Sequence, residues 1–258
     1  GAAPSASLGP PSPVAQWLCP GGEAQQALAR DGVAVLRGAL PAADRMWLLG
    51  QIEAGVERLA DWKLYRARAG PGEEMRPRTV DMGRLGFGRG LYTYLKEPLP
   101  EPLQALRSAL YAALAPLANV DLARHAREVA PKPFAVDAYP SELEVFHELC
   151  RVAKPPQVSP TCLALQYRAG GHNLPHRDIY GCISFPYQAL CLLTVPGRDF
   201  AGGDFYTQPS KGANDKRRHI RLGAGDLLVF RSSMWHGSEP VARGRRVAVG
   251  LQFHLAQA

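Results

Sequence analysis

Among the residues able to do chemistry, His176-Arg177-Asp178 stands out. It follows the apolar run Cys162-Leu163-Ala164-Leu165-Gln166-Tyr167 and the turn Arg168-Ala169-Gly170-Gly171. In an extended segment, side chains at i and i+2 share a face. His176 and Asp178 then offer an imidazole and a carboxylate to one point, while Arg177 faces away. A further histidine, His236, comes just after another strand-like run, Asp226-Leu227-Leu228-Val229-Phe230. Two imidazoles and one carboxylate on one side of a metal leave positions open. That arrangement suits ferrous iron with dioxygen and a chelating cosubstrate. The tripeptide alone also fits a strand-end salt bridge, and the chain has 7 histidines, so the rest of the pattern has to carry the reading.

A chelating cosubstrate such as 2-oxoglutarate has a distal carboxylate that needs a buried cation. Arginine serves best, because its fork grips both oxygens. Arg246 opens the strand-like run Arg246-Val247-Ala248-Val249-Gly250-Leu251-Gln252-Phe253. Alternation puts Val247, Val249, Leu251 and Phe253 on one face, and Arg246 on the other beside the small Ala248 and Gly250. A charge facing a cavity is costly without a partner, which marks Arg246 as a ligand-holding group. Arg245 or Arg243 would take its place if the register slipped. Other metal and nucleophile readings are weaker. His172 and His176 have the i, i+4 spacing of a helical zinc site, but Gly170, Gly171 and Pro175 oppose a helix there. A Ser-His-Asp triad lacks any Gly-x-Ser-x-Gly turn. His219, in the polar stretch Lys211 to Arg221, reads as exposed. His125 and His147 read as structural or surface residues, and His254 as a structural residue ending the last strand.

These side chains need a scaffold of strands with helices behind it. Glu23 to Arg30 has a short helical pattern, and Asp31-Gly32 turns it into Val33-Ala34-Val35-Leu36, a first strand. From Pro41 to Leu59, Met46, Leu48, Leu49, Ile52, Val56 and Leu59 recur at helical spacing, with Pro41 near the start where a missing N–H costs little. Pro102 to Leu117 predicts a second helix, with Leu103, Leu106, Leu110 and Leu114 as its buried stripe, and Ser141 to Val152 predicts a third. The later chain turns to strands: Thr161 to Tyr167, Tyr187 to Val195, Gly203 to Thr207, His219 to Leu222, Asp226 to Phe230 and Arg246 to His254. Many short strands preceded by helices predict an α+β chain whose main body is a jelly roll with N-terminal supporting helices. The expected organisation is a small, Pro-rich flexible leader over residues 1–20 and one domain over residues 21–258. Its helical support spans about 21–158 and its β core about 159–256.

Composition agrees. The chain has 258 residues, 46% of them hydrophobic, enough for a substantial core. Its 26 glycines and 23 prolines favour strands and loops over a helical bundle. Five cysteines without Cys-x-x-Cys spacing read as reduced thiols of a cytoplasmic protein. No apolar run is long enough to span a membrane. A net charge of +7 permits a nucleic acid or an anionic small molecule as partner. Much of that charge clusters between Tyr65 and Arg89, where Arg66, Arg68, Arg76, Arg78, Arg84 and Arg89 lie among glycines and prolines. The stretch reads as a solvated loop or as a basic flap over the metal. Within it, the glycines of Gly86-Phe87-Gly88-Arg89-Gly90-Leu91-Tyr92 would let backbone approach a ligand closely.

With these residues in view, the chain resembles the 2-oxoglutarate- and Fe(II)-dependent oxygenase superfamily. More closely, it is similar to the bacterial Oxygenase-NA family ("oxygenase, nucleic acid"), first described as a domain of unknown function and placed near AlkB. The resemblance runs from about Gly32 to Ala256. It is carried by Gly86-Phe87-Gly88-Arg89-Gly90 with Tyr92 and Tyr94, by Pro98-Leu99-Pro100 with Leu106-Arg107-Ser108-Ala109-Leu110-Tyr111, and by Leu117-Ala118-Asn119. It continues in His176-Arg177-Asp178-Ile179-Tyr180-Gly181, Phe185-Pro186-Tyr187-Gln188 and Gly197-Arg198-Asp199-Phe200-Ala201-Gly202-Gly203-Asp204-Phe205. It closes with His236-Gly237 and the stretch from Arg246 to Phe253-His254. Two positions depart from the pattern. The family reads His-Gln-Asp where this chain has Arg177, and AlkB-like proteins carry a second arginine where this chain has Gln252.

The resemblance implies a double-stranded β-helix. It implies that His176, Asp178 and His236 ligate iron and that Arg246 anchors 2-oxoglutarate. Tyr167 stands where AlkB-like proteins set a tyrosine on the cosubstrate. The implied activity is dioxygen-dependent hydroxylation of a C–H bond, with an N-methyl group on a modified base leaving as formaldehyde. Such a base would be flipped into the pocket and stacked on Phe87, Tyr92 or Trp235. The basic loop Arg66 to Arg89 and the run Lys216-Arg217-Arg218 would hold its phosphates, and Arg89 and Arg177 count among the substrate residues. A hydroxylase of a free amino acid or small metabolite is the rival within the enzyme class. A β-helix binding module without chemistry is the rival outside it.

Overall fold

The computed structural model describes Leu18, residues 21–55 and residues 80–257. The rest of the expected leader lies outside the described residues. So do Cys19, the end of the Pro41–Leu59 helical pattern, and Arg66, Arg68, Arg76 and Arg78 of the basic stretch.

The chain opens with helix α1 (Glu23–Asp31), which ends on Gly32 in the left-handed region and leads into β1 (Val33–Leu36). Helix α2 (Ala42–Gly55) follows. Beyond the undescribed stretch come the short strands β2 (Val80–Asp81), β3 (Gly88–Arg89) and β4 (Leu91–Tyr94). Three further helices come next: α3 (Glu101–Val120), α4 (Leu122–Val129) and α5 (Leu143–Val152). The remaining strands are β5 (Gln157–Ser159), β6 (Leu163–Arg168), β7 (His172–His176), β8 (Tyr187–Leu192), β9 (Phe200–Gly202) and β10 (Phe205–Gln208), then β11 (Arg218–Ile220), β12 (Leu227–Arg231), β13 (Trp235–Ser238), β14 (Val241–Leu251) and β15 (Ala256–Gln257).

Two sheets face each other. The larger runs β1-β12-β8-β14-β6-β4-β2 with β9 added to β14, and the smaller runs β11-β10-β13-β7-β3. The pairing between strands is antiparallel, as in a jelly roll of the double-stranded β-helix type. Apolar residues divide into two layers. Val247, Val249, Leu251 and Phe253 join Leu103, Leu110 and Leu114 of α3 and Phe146 of α5 in the layer between the larger sheet and the helices. Ala248 joins Tyr167, Leu190, Phe205 and Phe230 between the sheets. The alternation in β14 thus works as the sequence predicts: one face takes the helices, and the other lines the interior.

The longer elements match their sequence patterns to within a few residues, except that β14 begins at Val241, ahead of the expected Arg246, and ends at Leu251, short of His254. Helix α4 and the short strands β2, β3, β4, β5, β7, β9, β13 and β15 are additions. Most carry too few residues to show a period. The glycines at Gly88 and Gly90 serve a purpose other than the one expected. A Cβ at Gly88 would lie 2.4 Å from the carbonyl oxygen of His172, and one at Gly90 would lie 2.5 Å from the Tyr167 ring. They let β3 and β4 close against β7 and Tyr167, so the close approach is to the protein's own backbone and ring.

Three histidines are locked into the helical layer. His125 meets the Ser184 hydroxyl at 2.8 Å, and His147 meets the Phe253 carbonyl at 3.0 Å. His254 takes a long bond from the Phe185 amide at 3.4 Å. Burial pushes His125 down to about 4, and His147 and His254 down to about 3, from an ordinary 6.5. Below pH 6.5 the unfolded chain therefore binds protons that the folded chain refuses, and stability falls with pH. The urea midpoint is expected to drop steadily from pH 7 to about pH 4. A flat midpoint across that range would show these rings to be charged or solvated in the folded state.

Candidate metal centre

The site forms where β7 and β13 pair. Their register sets His236 opposite His176, with ring centroids 4.2 Å apart. Each ring is pinned from behind. His176 Nδ1 donates to the Leu174 carbonyl at 2.8 Å, and His236 Nδ1 donates to the Met234 carbonyl at 3.0 Å. Both Nε2 lone pairs are left for a third party, the arrangement a metal-binding imidazole needs. Strand β7 stops at His176, and the backbone carries Asp178 to the same point. Its Oδ1 lies 3.6 Å from His176 Nε2, and its Oδ2 lies 3.2 Å from His236 Nε2. The three ligand-capable atoms fall within 4.8 Å of one another.

Their protonation suits a cation. Burial alone would raise the Asp178 carboxyl, but His176, His236 and the Tyr180 hydroxyl outweigh it and hold it well below the ordinary carboxylate range. The Tyr180 hydroxyl donates to Asp178 Oδ1 at 2.8 Å. Burial and the adjacent carboxylate push Tyr180 far above 10, so it keeps its proton and remains a donor. Burial, and then His236, push His176 down and favour its neutral ring. Phe205 stacks on His236 at 5.6 Å and Phe230 meets its edge at 4.8 Å, so the back of the site is dry.

The triad opens into a cavity of about 460 Å³ between the sheets. Tyr92, Tyr94, Leu163 and Leu165 line it with apolar surface, and Asn173, Gln188 and Gln252 with amides. Tyr167 lines it as well, and is paired in register with Arg246 on β14. Arg246 is 2% exposed, with its guanidinium carbon 5.7 Å from the Tyr167 ring centroid. Its Nη1 is buried without a hydrogen-bond partner among the described residues, and the Tyr167 hydroxyl sits beside the Asn173 side chain. Arg246 lines a smaller adjoining cavity of about 290 Å³, and Phe205 borders both. Gly203 makes room for it, since a Cβ there would lie 3.0 Å from Arg246 Cδ. Arg245 instead bonds Glu53 and Gln166, and Arg243 bonds the Gly197 carbonyl, so neither replaces Arg246. A buried guanidinium with an unmet donor fits a carboxylate, and two imidazoles with a carboxylate fit ferrous iron.

The expected substrate residues separate. Phe87 (46% exposed), Tyr92 and Arg177 line the larger cavity, so Arg177 does not face away as strand alternation predicted, because β7 ends at His176. Trp235 does not line it but lies under the Arg177 guanidinium at 5.2 Å. Arg89 does not line it either. Arg89 pairs with His172, and its guanidinium packs beside Gly170. Sequence reasoning passed over Tyr180, Asn173 and Gln188. The i+2 relation of Tyr180 to Asp178 could have flagged the first. Strand alternation from Leu190 could have flagged Gln188.

A family model, Oxygenase-NA, described as an oxygenase catalysing oxidative methylation of damaged DNA, matches residues 90–256. The chain belongs to the Oxygenase-NA family. An uncharacterized protein of Mycobacterium tuberculosis is 30% identical over 199 residues, covering 70% of this chain and 81% of that one. Among solved structures, the non-heme alpha-ketoglutarate-dependent carbocyclase SnoK from nogalamycin biosynthesis is similar in fold. Its TM-score is 0.51 at 14% identity, over 94% of this chain and 86% of that one. A prolyl-4-hydroxylase of Pseudomonas putida gives a TM-score of 0.47 at 15% identity, over 91% and 98%. This Oxygenase-NA member is a 2-oxoglutarate-dependent Fe(II) oxygenase, with ferrous iron and 2-oxoglutarate as its cofactors. Among the described residues, no helix is long and apolar enough to cross a membrane.

The Tyr180 hydroxyl orients Asp178 from outside the ligand set, and groups in that position commonly tune metal affinity by ten- to a hundredfold. Tyr180→Phe is expected to weaken Mn(II) binding by roughly tenfold, read from the free-ion EPR signal, without lowering the melting temperature much. Unchanged affinity would show that Asp178 is held without it.

Proposed function

We propose that this Oxygenase-NA member oxidises a C–H bond on a modified base of a nucleic acid. The observation that carries the reading is the convergence of His176, Asp178 and His236 on the wall of an aromatic-lined cavity, with Arg246, whose Nη1 has no hydrogen-bond partner among the described residues, beside it. In this reading His176, Asp178 and His236 hold iron, and Arg246 and Tyr167 hold 2-oxoglutarate. Bound there, the metal with its cosubstrate and dioxygen supplies the oxidising power for hydroxylation, and an N-methyl group so hydroxylated is released as formaldehyde.

The chain's own residues do the rest. The carbonyls of Leu174 and Met234 fix which imidazole nitrogens face the metal. Phe205 and Phe230 keep water from the back of His236. Phe87 and Tyr92 offer flat apolar faces for a base taken out of its stack. Arg177, braced over Trp235, puts a cation at the same cavity, where a flanking phosphate would lie. The family description and the net charge of +7 support the nucleic-acid partner. The reading takes residues 21–258 as one domain and the setting as the cytoplasm, in keeping with the free, buried thiols Cys150, Cys162, Cys182 and Cys191.

The test is succinate release stimulated by an N-methylated single-stranded oligonucleotide. Stimulation is expected in the wild type and absent in His176→Ala and Asp178→Ala. Oligonucleotide binding should weaken by at least about tenfold between roughly 50 and 200 mM salt. Stimulation by free amino acids or metabolites, with no response to oligonucleotides, would sink the nucleic-acid reading. Undiminished turnover in both variants would sink the metal assignment. A third variant reads the cosubstrate end. Arg246→Met removes the guanidinium and is expected to weaken 2-oxoglutarate binding by about tenfold or more while Mn(II) affinity holds.

A further inference from the structure

Two glutamines in the triad cavity have a hydrogen-bonding problem that the protein does not solve. Gln188 lies on β8 and is 4% exposed, and Gln252 follows β14 and is 2% exposed. In the β8–β14 register Leu251 faces Ala189, so Gln252 and Gln188 fall at the next opposed positions, on the face that looks into the cavity. Gln188 Nε2 and Gln252 Oε1 are both buried without a partner among the described residues. One is a donor and the other an acceptor, and they do not meet each other.

Both are held on rigid supports. The Gln252 carbonyl accepts from Arg107 Nε at 2.7 Å and from Cys162 Sγ at 3.3 Å. Gln188 is paired through its backbone with Phe230 on β12. Buried polar groups in folded proteins nearly always find partners, so two complementary unmet groups facing one cavity point to something that fills it.

Resting on the reading of this cavity as the substrate site, we propose that the two amides recognise the substrate's polar edge. Gln188 donates to an acceptor and Gln252 accepts from a neighbouring N–H. The edge that meets both is an uncharged planar lactam or amidine, with Tyr92 and Tyr94 along the same cavity as its aromatic wall. A carboxylate would satisfy Gln188 but face the oxygen of Gln252. An ammonium group would face the mismatch in reverse.

The test uses the protein loaded with Mn(II) and 2-oxoglutarate, with ligand binding read by paramagnetic broadening of ligand protons. The probes are 2-pyridone, a minimal planar lactam, its N-methyl derivative, which lacks the donor, and benzoate, which is anionic. Wild type is expected to prefer 2-pyridone over each of the others by about tenfold, as a site built for a hydrogen bond rejects an analogue lacking it. Gln188→Leu and Gln252→Leu are each expected to erase most of that preference. Equal binding of the three probes by wild type overturns the proposal, and this comparison stands even if a variant fails to fold. A preference unchanged in both folded variants overturns it too. Absence of Mn(II) binding in wild type would remove the metal-site reading and this proposal together, whereas Mn(II) binding without probe discrimination removes this proposal alone.

Discussion

The structure depends on one strand pairing. Where β7 meets β13, two histidines from distant parts of the chain become cross-strand neighbours, and Asp178 follows within reach of both. Bringing three ligand-capable groups this close, partly out of water, is unfavourable unless a cation neutralises the cluster. The backbone carbonyls of Leu174 and Met234 and the hydroxyl of Tyr180 hold the groups in place beforehand, so metal binding does not have to order them.

The larger sheet does the complementary work. Its outer face is committed to α3 and α5 through Val247, Val249, Leu251 and Phe253. That commitment leaves the inner face free to carry Arg246, Ala248, Gly250 and Gln252 into the interior. The fully buried Arg107 ties the two layers together, reaching from α3 to the carbonyl of Gln252 and to Glu97. The supporting helices therefore do more than cover apolar surface. Through Arg107 they set the end of the strand whose side chains line the cavity.

Polar groups without partners sort the interior into zones. At one end is Nη1 of Arg246, beside Tyr167 and suited to a carboxylate. At the other are the amides of Gln188 and Gln252, suited to a neutral edge. Between them Ala248 and Gly250 present almost no side chain. A strand that alternates charge, nothing, nothing and amide along its inner face offers a slot with two chemically distinct ends.

Much of this was legible in the residue order. Strand alternation after His236 determines which residues of β14 face the helices and which face the interior. The leucine stripe of α3 determines its buried face. These are local consequences of the strand and helix periods. Other features were decided only by tertiary structure. Arg89 and Phe87 are close neighbours in sequence, yet one packs beside Gly170 and the other lines the cavity. Gly88 and Gly90 make space for the protein's own strands. Tyr180 reaches Asp178, and Gln188 comes to stand across from Gln252. None of these has a sequence period of its own. Each depends on which strand lies beside which, and strand neighbours are chosen by burial summed over the whole molecule, which no single stretch of sequence encodes.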